Sequence, residues 1–165
     1  MRKHLKRYRL LGVLVATLVA FHGITIGTVH AQSSLRRISP SAITAQIYER
    51  LPELPLENQH INSETGSPDV ENALVSRIIR YHLYTKDRPT NLRFDWKLTM
   101  ADYLGAFERM SLQDYPDYGL QDNPIAEDIA AVANLDWEVR DHLTNLLYES
   151  FALSSIDSRS PVNSQ

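Results

Sequence analysis

Residues 71–89 read ENALVSRIIRYHLYTKDRP, and the spacing of their apolar side chains decides the fold class. Leu74, Val75, Ile78, Ile79, His82 and Leu83 recur at the helical period and make one broad apolar stripe. Arg77, Arg80 and Tyr84 fall on the opposite face, with Tyr81 at its border. Asp69 and Glu71 precede the stripe and Lys86 ends it, which is the charge order the helix macrodipole favours. The pattern predicts a long helix over residues 69–86, stopped by Arg88-Pro89.

Upstream, Ser39-Pro40 is a helix start, with serine as N-cap and proline at the first helical position. Ile43, Ile47 and Leu51 follow on one face, and Pro52 ends the helix. Residues 52–68 are a connection with turn signals at Thr65-Gly66 and Ser67-Pro68, and a short strand is expected near 56–61. Downstream, Leu92, Phe94, Trp96 and Leu98 alternate with Arg93, Asp95 and Lys97, the period of a half-buried strand. Thr99 and Asp102 resemble a capping box opening a short helix that Gly105 stops. Residues 106–122 have no period and read as an acidic loop pinned by Phe107, Met110, Tyr115 and Tyr118.

Asn123-Pro124 opens the next helix, with Ile125, Ile129 and Val132 on one face. After a break near Asn134, residues 136–151 carry the stripe Val139, Leu143, Leu146, Leu147 and Phe151. The short link between these two helices favours an antiparallel pair. The expected fold is mainly α: a small helical domain of four to five helices with at most a short two-stranded β element. Its domain spans residues 39–153, between a flexible segment at 32–38 and a polar, disordered tail at 154–165.

The N-terminus has a different character. Arg2, Lys3, Lys6, Arg7 and Arg9 come without an acid, an apolar run covers 10–21, and Val29-His30-Ala31 offers a cleavage site. That order is a secretory signal over residues 1–31, leaving a mature N-terminus at Gln32. The rival is an uncleaved anchor over about 10–29, against which stand His22, Gly23 and Gly27. Cleavage would leave a soluble protein with no stable membrane insertion, in a periplasm, a thylakoid lumen or the extracellular space. The chain has no cysteine, which excludes a lipoprotein anchor, disulfides, zinc–thiolate sites and a cysteine nucleophile.

The net charge of −3 conceals an asymmetry. Without the five basic residues of the signal, 12 Lys+Arg face 20 Asp+Glu, a net of −8. Residues 77–97 alone carry +4, so the rest of the mature chain stands at −12. An acidic body disfavours nucleic acid as a partner. The basic, aromatic island of Arg77, Arg80, Tyr84, Arg93 and Lys97 is the candidate contact for an acidic protein surface, since arginine and tyrosine are favoured at interfaces. The competing reading of the island is that its charges neutralise acids within the domain.

Other constellations are weaker. His82 lies in the apolar stripe, which suits a hydrogen-bonded polar core residue better than a base or ligand. Glu138, His142 and Glu149 share a helix flank but lack the second histidine of a helical zinc pair. Asp114, Asp117 and Asp122 share a loop without the spacing of a calcium-binding hand. There is no nucleophile elbow and no glycine-rich phosphate loop. No metal or other cofactor is expected. The leading functional reading is therefore a non-catalytic accessory or binding protein. The alternatives are a small hydrolase using His82 or His142 with nearby acids, and an anion or small-molecule binder using Arg77, Arg80 and Arg93.

The runs LPLENQHINSETG, ENALVSRIIRYHLYTKDRP and LRFDWKLTMADYLG resemble a family of exported cyanobacterial proteins, over about residues 51–105. The resemblance implies location, in a periplasm or thylakoid lumen. It carries no chemistry and assigns no functional residue.

Overall fold

The structure is a computed structural model and describes residues 39–157. The proposed signal and the segment 32–38 lie outside the described residues, as does the chain beyond 157. Five α-helices follow in order: α1 (Pro40–Arg50), α2 (Leu74–Arg80), α3 (Arg93–Tyr103), α4 (Ile125–Asn134) and α5 (Trp137–Asp157). A π-helical turn, Tyr81–Thr85, continues α2. The domain is mainly helical, and among the described residues β structure is limited to two isolated antiparallel bridges, Ile61 with Pro68 and Asn62 with Leu120. The strand expected near 56–61 is thus reduced to these bridges. No described helix is long and apolar enough to cross a membrane.

α1 starts at Ser39-Pro40. Ser39 is extended and its carbonyl accepts the amides of Ala42 and Ile43. Ile43 and Ile47 are buried, as is Leu51 at the C-cap. α2 is shorter than the expected 69–86. The amide of Asp69 bonds to the His60 carbonyl and that of Leu74 to the Leu56 carbonyl, so residues 69–73 are held against the preceding connection and not wound into the helix. Every residue from Asn72 to Ile79 is buried. Of the basic face expected for this helix, Arg77 is therefore buried, and only Arg80 at its end and Tyr84 beyond it reach solvent.

The stretch 92–98 is helical, not a strand. Trp96, Thr99, Met100 and Tyr103 are buried at helical spacing, while Phe94 is 66 % exposed. A strand would have buried Phe94 with Trp96. Asp95 lies in the first turn, where the helix dipole favours an acid. Thr99 and Asp102 lie inside this helix and open no new one, and Asp102 Oδ1 instead accepts the Glu108 amide beyond its end. α3 ends at Gly105 (φ +65°), whose amide bonds to the Asp102 carbonyl while that of Ala106 bonds to Ala101, a Schellman closure.

In the loop that follows, Tyr115 is buried and Met110 packs on the core, whereas Phe107 and Tyr118 are exposed. Asn123 accepts the Ile125 amide at the start of α4. α5 buries Leu143, Leu146, Leu147 and Phe151 and continues to Asp157, past the expected end at Phe151. It packs chiefly on α3 and α1, and α4 packs on α3, so the expected antiparallel α4–α5 pair is not the main contact. Leu135 is an extended corner between them, and the Arg140 guanidinium caps the carbonyls of Val132, Ala133 and Leu135 at the end of α4.

Candidate functional site

The basic island is divided by the fold. Arg77 is 0 % exposed and belongs to the core. Its Nε donates to Asp128 Oδ2 at 2.6 Å and its Nη2 to Asp128 Oδ1 at 2.7 Å. The same guanidinium donates to the carbonyls of Asn72 and Glu57. Tyr115 donates its hydroxyl to Asp128 Oδ2, and Tyr103 donates to Tyr115 at 2.9 Å. Burial opposes the Arg77 charge, but the bonds to Asp128 outweigh it and hold the guanidinium above its ordinary pKa. Burial likewise pushes both tyrosines well above theirs. Arg77 is thus removed from the partner-contact set: its charge is spent on Asp128 inside the domain. Asp128 gave no signal in the sequence, where one acid among 20 on an alanine-rich helix looks solvated.

Arg80 is half-buried and donates to Asn72 Oδ1 at 3.1 Å, and burial lowers its pKa. Tyr84 follows it and is 72 % exposed. Arg88 bonds Asp102 at 2.6 Å and Thr99 at 3.0 Å, and Lys86 bonds Glu108 at 2.5 Å. None of these cations is free for a ligand without loss of an internal bond.

His82 is buried and stacked on Trp96 with ring centroids 3.6 Å apart. The Pro89 carbonyl, 3.2 Å from Nε2, can only accept, so Nε2 carries the proton and Nδ1 accepts from the Thr99 hydroxyl at 2.9 Å. Burial pushes its pKa down to about 4, leaving a neutral ring. His142 is exposed, and Glu149 on its flank pairs with Arg50 at 3.2 Å. In the acidic loop Asp117 accepts from Asn123 at 3.0 Å, while Asp114 and Asp122 face solvent. Among the described residues no group of three or more histidines and acids could hold a metal ion.

Arg93 and Lys97 do share a face, one turn apart on α3. Asp95, expected between them on a strand, is rotated away by the helix. Their shared acid is Asp141 of α5, which accepts from Arg93 Nη2 at 2.7 Å. The hydrogen bond from Arg93 holds the Asp141 carboxyl below its usual range, and Lys97 adds to the effect. Beside this pair an open groove of about 230 Å³ runs between α3 and α5. Met100 and Thr144 are its buried base, Leu104 and Trp137 are exposed, and Ala101 and Ala106 keep it wide. Three charges line it. Arg140 is committed to the α4 carbonyls and Asp141 to Arg93 and Asn145. Lys97 makes no hydrogen bond among the described residues and acts on Asp141 only through its field. The sequence held a clue to this place: Phe94, Lys97, Ala101 and Leu104 lie at helical spacing, a pattern the alternation of 92–98 concealed. The chain matches no family model, no curated protein and no solved structure.

Proposed function

We propose that this is an exported, non-catalytic accessory protein that works by binding an acidic protein surface. The observation that carries the reading is the α3–α5 groove, lined both by the Lys97 ammonium, which makes no hydrogen bond, and by a Trp137 that is 69 % exposed. Exposed tryptophan is a residue type enriched at protein contacts, and the nearby ammonium supplies charge complementary to an acidic one. The basic, aromatic face read from the sequence is retained in part, as Lys97 and Arg93 joined by Trp137, with Arg77 excluded. The hydrolase reading is weakened by the enclosure of His82 between Trp96 and Thr99. The anion-binder reading is weakened by the internal bonds of Arg77, Arg80 and Arg93, to Asp128, Asn72 and Asp141 respectively. Export to a periplasm, thylakoid lumen or the extracellular space rests on the order of charges and apolar residues in 1–31 and on the family resemblance.

The test uses protein recovered from its native host. Its N-terminus should be Gln32; an intact Met1 in a membrane fraction would replace export with anchoring. Immobilised protein should retain an acidic partner that is released as salt rises, since exposed charges are screened over about 8 Å at physiological ionic strength. Lys97→Glu should lose that partner with unchanged circular dichroism. Equal retention by both proteins would remove Lys97 from the contact.

A further inference from the structure

We infer that the α3–α5 groove receives one large apolar side chain, an aromatic anchor, from an acidic segment of the partner. The inference rests on the binding reading above and specifies what the site accepts.

Size comes first. Sites for drug-sized ligands and cofactors enclose about 300–1,000 Å³. The groove's volume of about 230 Å³ falls below that range and suits a single large side chain. Shape agrees. Ala101 and Ala106 leave the space open, and their small side chains sit beside exposed Leu104 and Trp137. A ring entering there would lie against the indole, where offset or edge contacts between aromatics add to the area buried.

Charge then selects the neighbours of the anchor. Asp141 and Arg140 already have partners, so neither presents a free charge. Lys97 remains, a positive charge on a mature chain of net −8. A carboxylate adjacent to the anchor in sequence reaches Lys97 when the ring is seated. A cationic segment would meet Lys97 and be disfavoured.

The chain supplies its own reporter. Trp96 is fully buried and Trp137 is exposed, so only Trp137 emission can respond to an occupant. The probes are blocked peptides Asp-Glu-Phe-Glu-Asp, Asp-Glu-Ala-Glu-Asp and Lys-Lys-Phe-Lys-Lys, titrated into the protein isolated in its native processed form. The phenylalanine-bearing acidic peptide should shift Trp137 emission to the blue and shield it from acrylamide. The alanine peptide should bind about tenfold more weakly, the loss of a central anchor. Lys97→Glu should weaken the first peptide by about tenfold. Ala101→Phe should fill the groove and abolish the response with helicity unchanged. If that variant misfolds, Ala106→Phe, at an exposed position just past α3, makes the same test.

Equal binding of all three peptides, or preference for the lysine peptide, overturns the assignment. A blue shift that grows with protein concentration alone, reversed by Ala101→Phe, would mean that a second copy fills the groove, and also overturns it. A Lys97-dependent, salt-labile partner that Ala101→Phe still retains would remove the aromatic anchor while the binding reading stands. Loss of Lys97 dependence as well would remove both.

Discussion

His82 shows how one residue can combine packing and titration. Its ring is stacked on Trp96, its Nε2 proton is given to Pro89 and its Nδ1 takes the Thr99 hydroxyl. Thr99 in turn accepts from Arg88 Nη1 at 3.0 Å, so a cation already stands one atom beyond the imidazole. Protonation would add a second charge where no carboxylate meets the ring. The ring's pKa is lowered to about 4 by burial, against 6.5 when unfolded. Between these values the unfolded chain binds the additional proton, so stability rises with pH there. The contribution is fully present above pH 6.5 and is lost as pH falls toward 4, a span of about 3 kcal/mol. Urea midpoints measured from pH 7 to 4 should fall across that window. His82→Gln, which cannot titrate, should be less stable at pH 7 and flatter across the window; an equally steep fall would assign the acid sensitivity to other groups.

At the level of elements, α3 decides more than any other segment. It carries Trp96, Thr99, Met100 and Tyr103 into the core and Phe94, Lys97, Ala101 and Leu104 to the outside. Alternation and helical spacing both describe 92–104, because Leu92, Phe94, Trp96 and Leu98 satisfy a period of two while Trp96, Met100 and Tyr103 satisfy 3.6. Propensity did not arbitrate, since tryptophan and phenylalanine suit strands and leucine and methionine suit helices. Packing on α5 and α4 did. The two readings differ in a measurable way. On the helix, Phe94→Lys should change stability by less than about 0.5 kcal/mol, as at an ordinary surface site. Trp96→Ala should cost about 3–5 kcal/mol. Similar costs for both would restore the strand.

For the molecule as a whole, the Arg77–Asp128 pair joins α2 to α4 and, through Tyr115 and Tyr103, to the acidic loop and α3. Both side chains are fully buried, so breaking the pair from one side leaves a charge without water or partner. Asp128→Ala should therefore destabilise the domain by about 3–5 kcal/mol in a denaturant melt. Replacing Arg77 and Asp128 together by methionine and leucine should recover most of that loss, because the desolvation cost of the pair vanishes with its attraction. Additive losses in the double variant would show that the remaining bonds, from Arg77 to the Asn72 and Glu57 carbonyls, carry the stability instead.

Much of the fold follows from local sequence. Ser39-Pro40 starts α1, Gly105 ends α3, Asn123-Pro124 opens α4, and the leucines of 143–147 mark the buried face of α5. In each case the signal is a dihedral preference, a cap or a period, and each acts within one or two helical turns. The sequence also determined the charge balance, an acidic chain with one basic island. It did not determine where the island's charges go. Periodicity alone places Arg77 on a solvent face, because α2 has one apolar stripe and a single helix viewed alone must have an outside. Only the tertiary structure places α2 at the centre, where Asp128, 51 residues away, meets the guanidinium. The α3–α5 groove has the same origin. Its lining comes from two helices about 40 residues apart, and neither helix contains it. Contacts across such separations depend on which faces pack together, and that is settled by the summed burial of the whole core, not by any window of the chain.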